Sequence, residues 1–187
     1  MEALKRRIRQ DGRILGKNIL KVDGFINHRI DVGLMDSCGW AIADRFANDR
    51  VDVILTSEAS GIAPALMAAA ALQVDVVYAR KSKPVTMETS TCFSETVWSR
   101  TKDAECSIYV SGLREGERVL IVDDFLASGR TIAALSRITS SSKAVLVGVA
   151  ALVEKKFEDA REHLARLGVP IVSLAKIVSM DGEILVE

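Results

Sequence analysis

Val119-Leu120-Ile121-Val122-Asp123-Asp124-Phe125-Leu126-Ala127-Ser128-Gly129-Arg130-Thr131 is the stretch whose reading decides the fold. Its four leading apolar residues, without a polar break, read as a strand buried on both faces of a parallel sheet. Two acids follow, then a turn of small residues, and Thr131-Ile132-Ala133-Ala134-Leu135 opens a helix. Open α/β sheets bind ligands beyond the carboxyl ends of their strands, which is where these polar residues fall. Gly129 lets the backbone approach an anion, Ser128 and Thr131 offer hydroxyls, and the helix start adds unpaired N–H groups. The turn therefore reads as a phosphate cradle. Two carboxylates would repel that phosphate, so vicinal sugar hydroxyls or a metal-bound water suit Asp123 and Asp124 better. Alternation along a strand predicts that the two side chains diverge and share no contact. For the acid and glycine spacing alone, a plain strand–turn–helix with Asp124 opening the turn and Ser128 capping the helix is the simpler alternative.

Upstream, the same pattern recurs. Asp52–Ser57 is a second buried strand, Glu58-Ala59-Ser60-Gly61 a tight loop, and the Ala-rich segment to Leu72 a helix whose first turn accommodates Pro64. Two such loops imply two anion sites on one edge of one sheet. A strand at Val74–Ala79 then delivers Arg80, Lys81 and Lys83 to that edge, placed to neutralise a pyrophosphate; a solvated basic turn is the bland reading. Residues 82–107 alternate polar and apolar types without a helical face and read as a flexible lid hairpin.

Farther out, Ala3–Gln10 reads as a short basic-faced helix, Ile19–Val22 as a strand, and Asp31–Asn48 as a helix with Leu34, Cys38, Ile42 and Phe46 on one face. Downstream, Ser140-Ser141-Ser142 reads as a polar turn and Ala144–Val153 as a strand running into Glu154-Lys155-Lys156. A helix over Glu158–Leu167, an inner strand over Ile171–Ala175 and an edge strand at 184–186 complete the chain. Alternating strands and helices with a parallel core define an α/β fold of one domain, residues 1–187.

Bulk properties narrow the function. The 187 residues carry 25 basic and 25 acidic side chains, so local groups, not a global basic field, must hold any polyanion. That argues against nucleic acid as the partner. Lys5, Arg6, Arg7 and Arg9 lack interleaved aromatics and read as a solvated helix face. The three cysteines show no metal-ligand spacing and read as thiols of a reducing compartment. No apolar run reaches a membrane span, and no signal-peptide pattern follows the N-terminal charges, so the cytoplasm is expected.

The thirteen-residue string resembles the ribose-phosphate signature of type I phosphoribosyltransferases, which bind 5-phosphoribosyl-1-pyrophosphate (PRPP). It departs at Arg130, where many members carry a second glycine. Within the family, Leu20–Asp31, Glu58–Pro64, Tyr78–Lys81, Val119–Gly129 and Glu154-Lys155 resemble the enzymes that act on xanthine. The resemblance implies an open parallel sheet flanked by helices, with a small hood from residues 1–30 and 170–187 over the site. It implies transfer of phosphoribose from PRPP to a 6-oxopurine, most of all xanthine, in purine salvage. Asp123 and Asp124 would bind the ribose, and Ala127, Ser128, Gly129, Arg130 and Thr131 the 5′-phosphate. Glu58, Ala59, Ser60 and Gly61 would hold pyrophosphate, with a strained non-proline peptide, and Arg80 and Lys81 would offset its charge. Leu20, Asn27 and Lys155 would meet the base, with Lys156 as a rival for that contact. Mg²⁺ would arrive with PRPP and water, not in a protein cage, and the family expectation is a homodimer. The alternatives are a hypoxanthine/guanine or adenine phosphoribosyltransferase, or a PRPP-sensing regulator without turnover.

Overall fold

A computed structural model describes residues 1–16, 18–88, 91–99 and 104–187. The chain opens with helix α1 (Glu2–Asp11), then strands β1 (Arg13–Leu15) and β2 (Ile19–Lys21) and a π-helical turn over Asp23–Asn27. Helix α2 (Val32–Phe46), strand β3 (Val53–Ser57), helix α3 (Ile62–Leu72) and strand β4 (Asp75–Ala79) follow. Strands β5 (Cys92–Ser99) and β6 (Ala104–Ser111) lead to β7 (Arg118–Leu126), helix α4 (Arg130–Ser141) and β8 (Val145–Lys155). Short helix α5 (Ala160–Leu164), a 3₁₀ turn (Ala165–Leu167), β9 (Ile171–Ser179) and β10 (Leu185–Val186) end it.

Six strands form the central sheet in the order β4-β3-β7-β8-β9-β10, parallel except for β10. From β3 the chain winds outward to β4, and from β7 it winds the other way through β8 to β9. The crevice between the carboxyl ends of β3 and β7 is therefore the switch point where such sheets bind ligands.

The apolar runs are continuous because both sheet faces are covered. Ile54, Leu120, Val122 and Leu152 pack with α1, α2 and α3, while Leu55, Val119, Ile121 and Ala151 pack with α4 and α5. Asp31 caps α2, its carboxylate accepting from the Leu34 amide at 3.1 Å. Two glycines set the α2 side of the core: a Cβ at Gly39 would lie 2.5 Å from the Met67 backbone of α3, and one at Gly148 would lie 2.2 Å from the Phe46 ring.

The structure differs from the sequence reading in three places. Strand β7 continues through both acids to Leu126. Ser140 and Ser141 belong to α4, and the turn begins only at the cap Ser142; the Ser140 hydroxyl donates to the Ser136 carbonyl and that of Ser142 to the Thr139 carbonyl, which satisfies carbonyls at the helix end. An unpredicted strand, Arg13–Leu15, pairs antiparallel with β2. The ribbon expected over 82–107 holds β5 and the start of β6, and the hairpin runs on past it to Ser111; residues 89–90 and 100–103 lie outside the described residues. Arg137 of α4 ties that hairpin down, its Nε donating to Glu95 at 2.8 Å, and an antiparallel bridge joins Tyr109 to Arg80. Among the described residues, no helix is long and apolar enough to cross a membrane.

Candidate active site

A cleft of about 360 Å³ opens at the switch point. Its walls come from both loops read in the sequence: Glu58 and Ser60 on one side, Ala127, Ser128, Arg130 and Thr131 on the other. Asp123 and Asp124 form the floor with Phe125, and Lys81 contributes from the end of β4. Trp98 and Ile108 of the β5–β6 hairpin, with Val97 and Cys106, cover it. Val97, Trp98 and Cys106 fall within the lid expected over 82–107, whereas Ile108 and Phe125 carry no polar signature and sequence reasoning missed them.

The first loop is held from inside the sheet. The Glu58 amide donates to Ala79 at 3.0 Å, and the Glu58 carboxylate accepts from the Lys81 amide at 2.6 Å. Arg80 Nε lies 3.9 Å from the same carboxylate, an ion pair too long for a hydrogen bond. The Glu58–Ala59 peptide is cis. Gly61 has an ordinary helical φ of −68°, so conformation does not require glycine there. Space does: a Cβ at Gly61 would lie 2.4 Å from Thr56 Oγ1 and 2.7 Å from Asp123 Oδ1.

The second loop is held from outside. Gly129 adopts φ +74°, the left-handed region that glycine tolerates best, and hands the chain to α4. Helix α5 packs directly on it, with Leu164 Cγ 3.2 Å and Ala160 Cα 3.3 Å from where a Cβ would stand. His163 Nδ1 lies 3.0 Å from the Ser128 carbonyl, which can only accept, so the ring nitrogen donates. Helix α5 is itself clamped to β8 by Arg161, which donates to both oxygens of the buried Glu154 at 2.8 and 2.7 Å. Burial alone would raise the Glu154 carboxyl; the hydrogen bonds and charge of Arg161, with the charge of Lys176, outweigh it and hold the group below its ordinary range.

The acid pair does not diverge as strand alternation predicts. The Asp124 amide donates to Asp123 Oδ1 at 3.0 Å, and both residues are buried. Burial raises the Asp123 carboxyl well above the usual carboxylate range, and the charge and hydrogen bond of the neighbouring Asp124 carboxyl add to the effect. The Asp124 amide and the Lys81 ammonium oppose it more weakly. Two acids sharing a dry site are poised for a ligand that supplies donors or positive charge. Among the described residues, no cluster of three or more His, Cys, Asp or Glu groups could cage a metal ion.

The three predicted base contacts, Leu20, Asn27 and Lys155, are not among the residues that line this cleft. Lys155 ends β8 and is buried; its Nζ donates to the Asn18 carbonyl at 2.6 Å, lies 3.7 Å from Glu158, and stands 6.0 Å from the centre of the Phe125 ring. Lys156 points elsewhere, pairing with Glu187 at 3.1 Å. Leu20 is buried in β2, and Asn27 is exposed at the end of the π-helical turn. Neither lines the cleft.

The phosphoribosyl transferase domain matches residues 30–172. The chain belongs to the phosphoribosyltransferase family. A xanthine phosphoribosyltransferase from Shouchella clausii is 43% identical over 184 residues, covering 97% of this chain and 92% of that protein. One from Listeria innocua is 43% identical over 185 residues, covering 98% and 96%. The solved adenine phosphoribosyltransferase of Rhodothermus marinus shares the fold, with a TM-score of 0.77 at 21% identity over 95% of this chain and 100% of that one.

Proposed function

We propose that this chain transfers phosphoribose from PRPP to xanthine, releasing pyrophosphate and xanthosine 5′-monophosphate in purine salvage. The observation that carries the proposal is the buried pair Asp123–Asp124 lying between two loops built for anions. The near full-length likeness to xanthine phosphoribosyltransferases selects the base.

In the reaction, the bond between ribose C1′ and pyrophosphate oxygen breaks as a purine nitrogen bonds to C1′ and gives up its proton. Positive charge develops on the ribose while negative charge gathers on the leaving group. Asp123 and Asp124 accept hydrogen bonds from the ribose hydroxyls, and their negative potential favours the cationic ring. Ala127 to Thr131 hold the 5′-phosphate by backbone N–H groups and the two hydroxyls, and Arg130 adds a charge that a glycine there would lack. Glu58 to Gly61 cradle the pyrophosphate, and Arg80 and Lys81 offset its charge. The β5–β6 hairpin closes over the complex and excludes water, and Trp98 and Ile108 already face the cleft. The hood, residues 1–30 and 170–187, shapes the base site, where Asn27 and Leu20 meet the purine and Lys155 donates to an oxo group.

The acid pair also fits Mg²⁺. With two carboxylates and, among the described residues, no cluster of three or more His, Cys, Asp or Glu, it suits an ion that keeps several waters and is carried by phosphate oxygens. Bound there, Mg²⁺ would supply charge neutralisation for the departing pyrophosphate. The working protein in this reading is a cytoplasmic homodimer.

The test is pyrophosphate release from PRPP and Mg²⁺ with xanthine, guanine, hypoxanthine or adenine supplied separately. Turnover led by xanthine supports the whole reading. Turnover led by another base keeps the transfer and overturns the base assignment; saturable PRPP binding without turnover makes the chain a sensor.

A further inference from the structure

The base edge proposed above contains a second charge. Strand β8 ends at Lys155, and the turn Lys155-Lys156-Phe157-Glu158 closes with the Glu158 amide donating to the Lys155 carbonyl at 3.1 Å. That turn folds Glu158 back over the lysine it follows. Its carboxylate lies 3.7 Å from Lys155 Nζ, and both side chains are buried, at 9% and 10% exposure. Among the described residues, Glu154 takes both hydrogen bonds from Arg161, and Lys156 pairs with Glu187.

We propose that Glu158 is a specificity-determining residue that offsets the Lys155 charge and so limits the preference for an anionic base. The inference rests on the reading of Lys155 as the group that meets the purine. A bare buried lysine would favour xanthine strongly, since xanthine gives up a proton more readily than hypoxanthine and its anion gains most from a cation. A lysine paired with a carboxylate presents a dipole instead. The N–H still points at an oxo group, and the carboxylate 3.7 Å away offsets the positive charge felt by the base. The site then selects a 6-oxopurine by hydrogen bonding and keeps a neutral base as a usable substrate. The Asn18 carbonyl adds to this by taking one of the ammonium protons, which orients the remaining ones.

The experiment compares kcat/KM for xanthine and hypoxanthine at one pH in the wild type, Glu158→Gln and Glu158→Asp. Glu158→Gln keeps the shape and an accepting oxygen and removes the charge. It is expected to raise the xanthine-to-hypoxanthine ratio roughly threefold to tenfold, the effect of one partly screened charge within 4 Å, with KM for PRPP within about twofold of wild type. Glu158→Asp keeps the charge and is expected to keep the wild-type ratio, and the melting temperature of each variant establishes that it is folded. An unchanged ratio in folded Glu158→Gln, or one that moves toward hypoxanthine, overturns the inference. Lys155→Gln separates this failure from that of the underlying reading. If Lys155→Gln lowers xanthine use while Glu158→Gln changes nothing, only the role of Glu158 falls. If Lys155→Gln leaves both bases untouched, the assignment of the base edge falls with it.

Discussion

Two glycines stand at equivalent points of two strand–loop–helix units, and they are glycine for different reasons. Gly61, before α3, has an ordinary backbone and no room: any Cβ would run into Thr56 and the Asp123 carboxylate. Gly129, before α4, has a left-handed backbone and tight neighbours in α5, 3.2 to 3.3 Å from where a Cβ would stand. The first loop is therefore coupled to the acid pair by direct packing. The second is coupled to a separate brace that reaches it from β8 through Arg161 and His163. One loop shares its tolerance with the chemistry at the cleft floor; the other can be adjusted from outside.

The largest effect is expected at the floor itself. Asp123→Asn should lower kcat roughly a hundredfold to a thousandfold, the loss expected when a charged partner of the transition state is removed. It should also stabilise the unliganded protein by about 1 kcal/mol near pH 7, because a carboxylate is no longer buried beside Asp124. A carboxyl raised in the folded state contributes stability that is present below its unfolded pKa and lost as pH rises through its folded one. The wild-type melting temperature without ligand should thus fall with pH through that interval, and the fall should shrink in Asp123→Asn. Asp124→Asn should lose turnover comparably while staying folded. Unchanged kcat/KM in either would remove the sugar-binding role.

Gly61→Ala comes next. The added methyl must displace the Asp123 carboxylate or the loop, so kcat and the KM for PRPP should both deteriorate, by roughly a hundredfold in kcat/KM. Gly129→Ala should cost less, about tenfold and mostly in KM for PRPP, since the strain is a left-handed backbone worth about 1–2 kcal/mol. The comparison sharpens with asparagine. At position 129 Asn tolerates the left-handed region and should outperform Ala, whereas at 61 its larger side chain should perform worse than Ala. The same ranking at both sites, from steady-state kinetics of the four variants, would erase the distinction between the glycines.

Much of this was legible in the sequence, for physical reasons. Strands covered on both faces must be continuously apolar, so Val53–Ser57, Val119–Val122 and Val145–Val153 stand out. Glycines beside hydroxyls and acids mark the carboxyl edge where backbone must meet an anion. Three-residue Arg13–Leu15 was not legible, because a strand that short has no period and is recognised only by its partner β2. Nor was the hydrogen bond from the Asp124 amide to Asp123 Oδ1 legible, because the β7–β8 ladder runs on in register through Phe125 and Leu126 and strand alternation alone would part the two side chains. The roof residues Trp98 and Ile108 look like any hairpin positions until the hairpin is seen over α4. Nor does any pattern predict that His163, on a five-residue helix, touches the loop after β7.

That contact sets the smallest and most specific prediction. His163 donates to a carbonyl of the 5′-phosphate loop from an exposed position, and a hydrogen bond of this kind is worth about 0.5–1.5 kcal/mol net. His163→Ala should raise KM for PRPP about twofold to fivefold, leave KM for the base unchanged and barely move kcat, because the brace orients the loop and touches no reacting atom. The Arg161–Glu154 clamp keeps α5 in place, so the melting temperature should stay within about 2 °C of wild type. His163→Gln retains an N–H donor and should recover much of the loss. If His163→Ala instead impairs base and PRPP use equally, α5 acts through general stability and the second loop has no separate brace. If the effect is confined to PRPP and rescued by Gln, the outside of this loop is a place where substrate affinity can be set without disturbing Asp123 and Asp124.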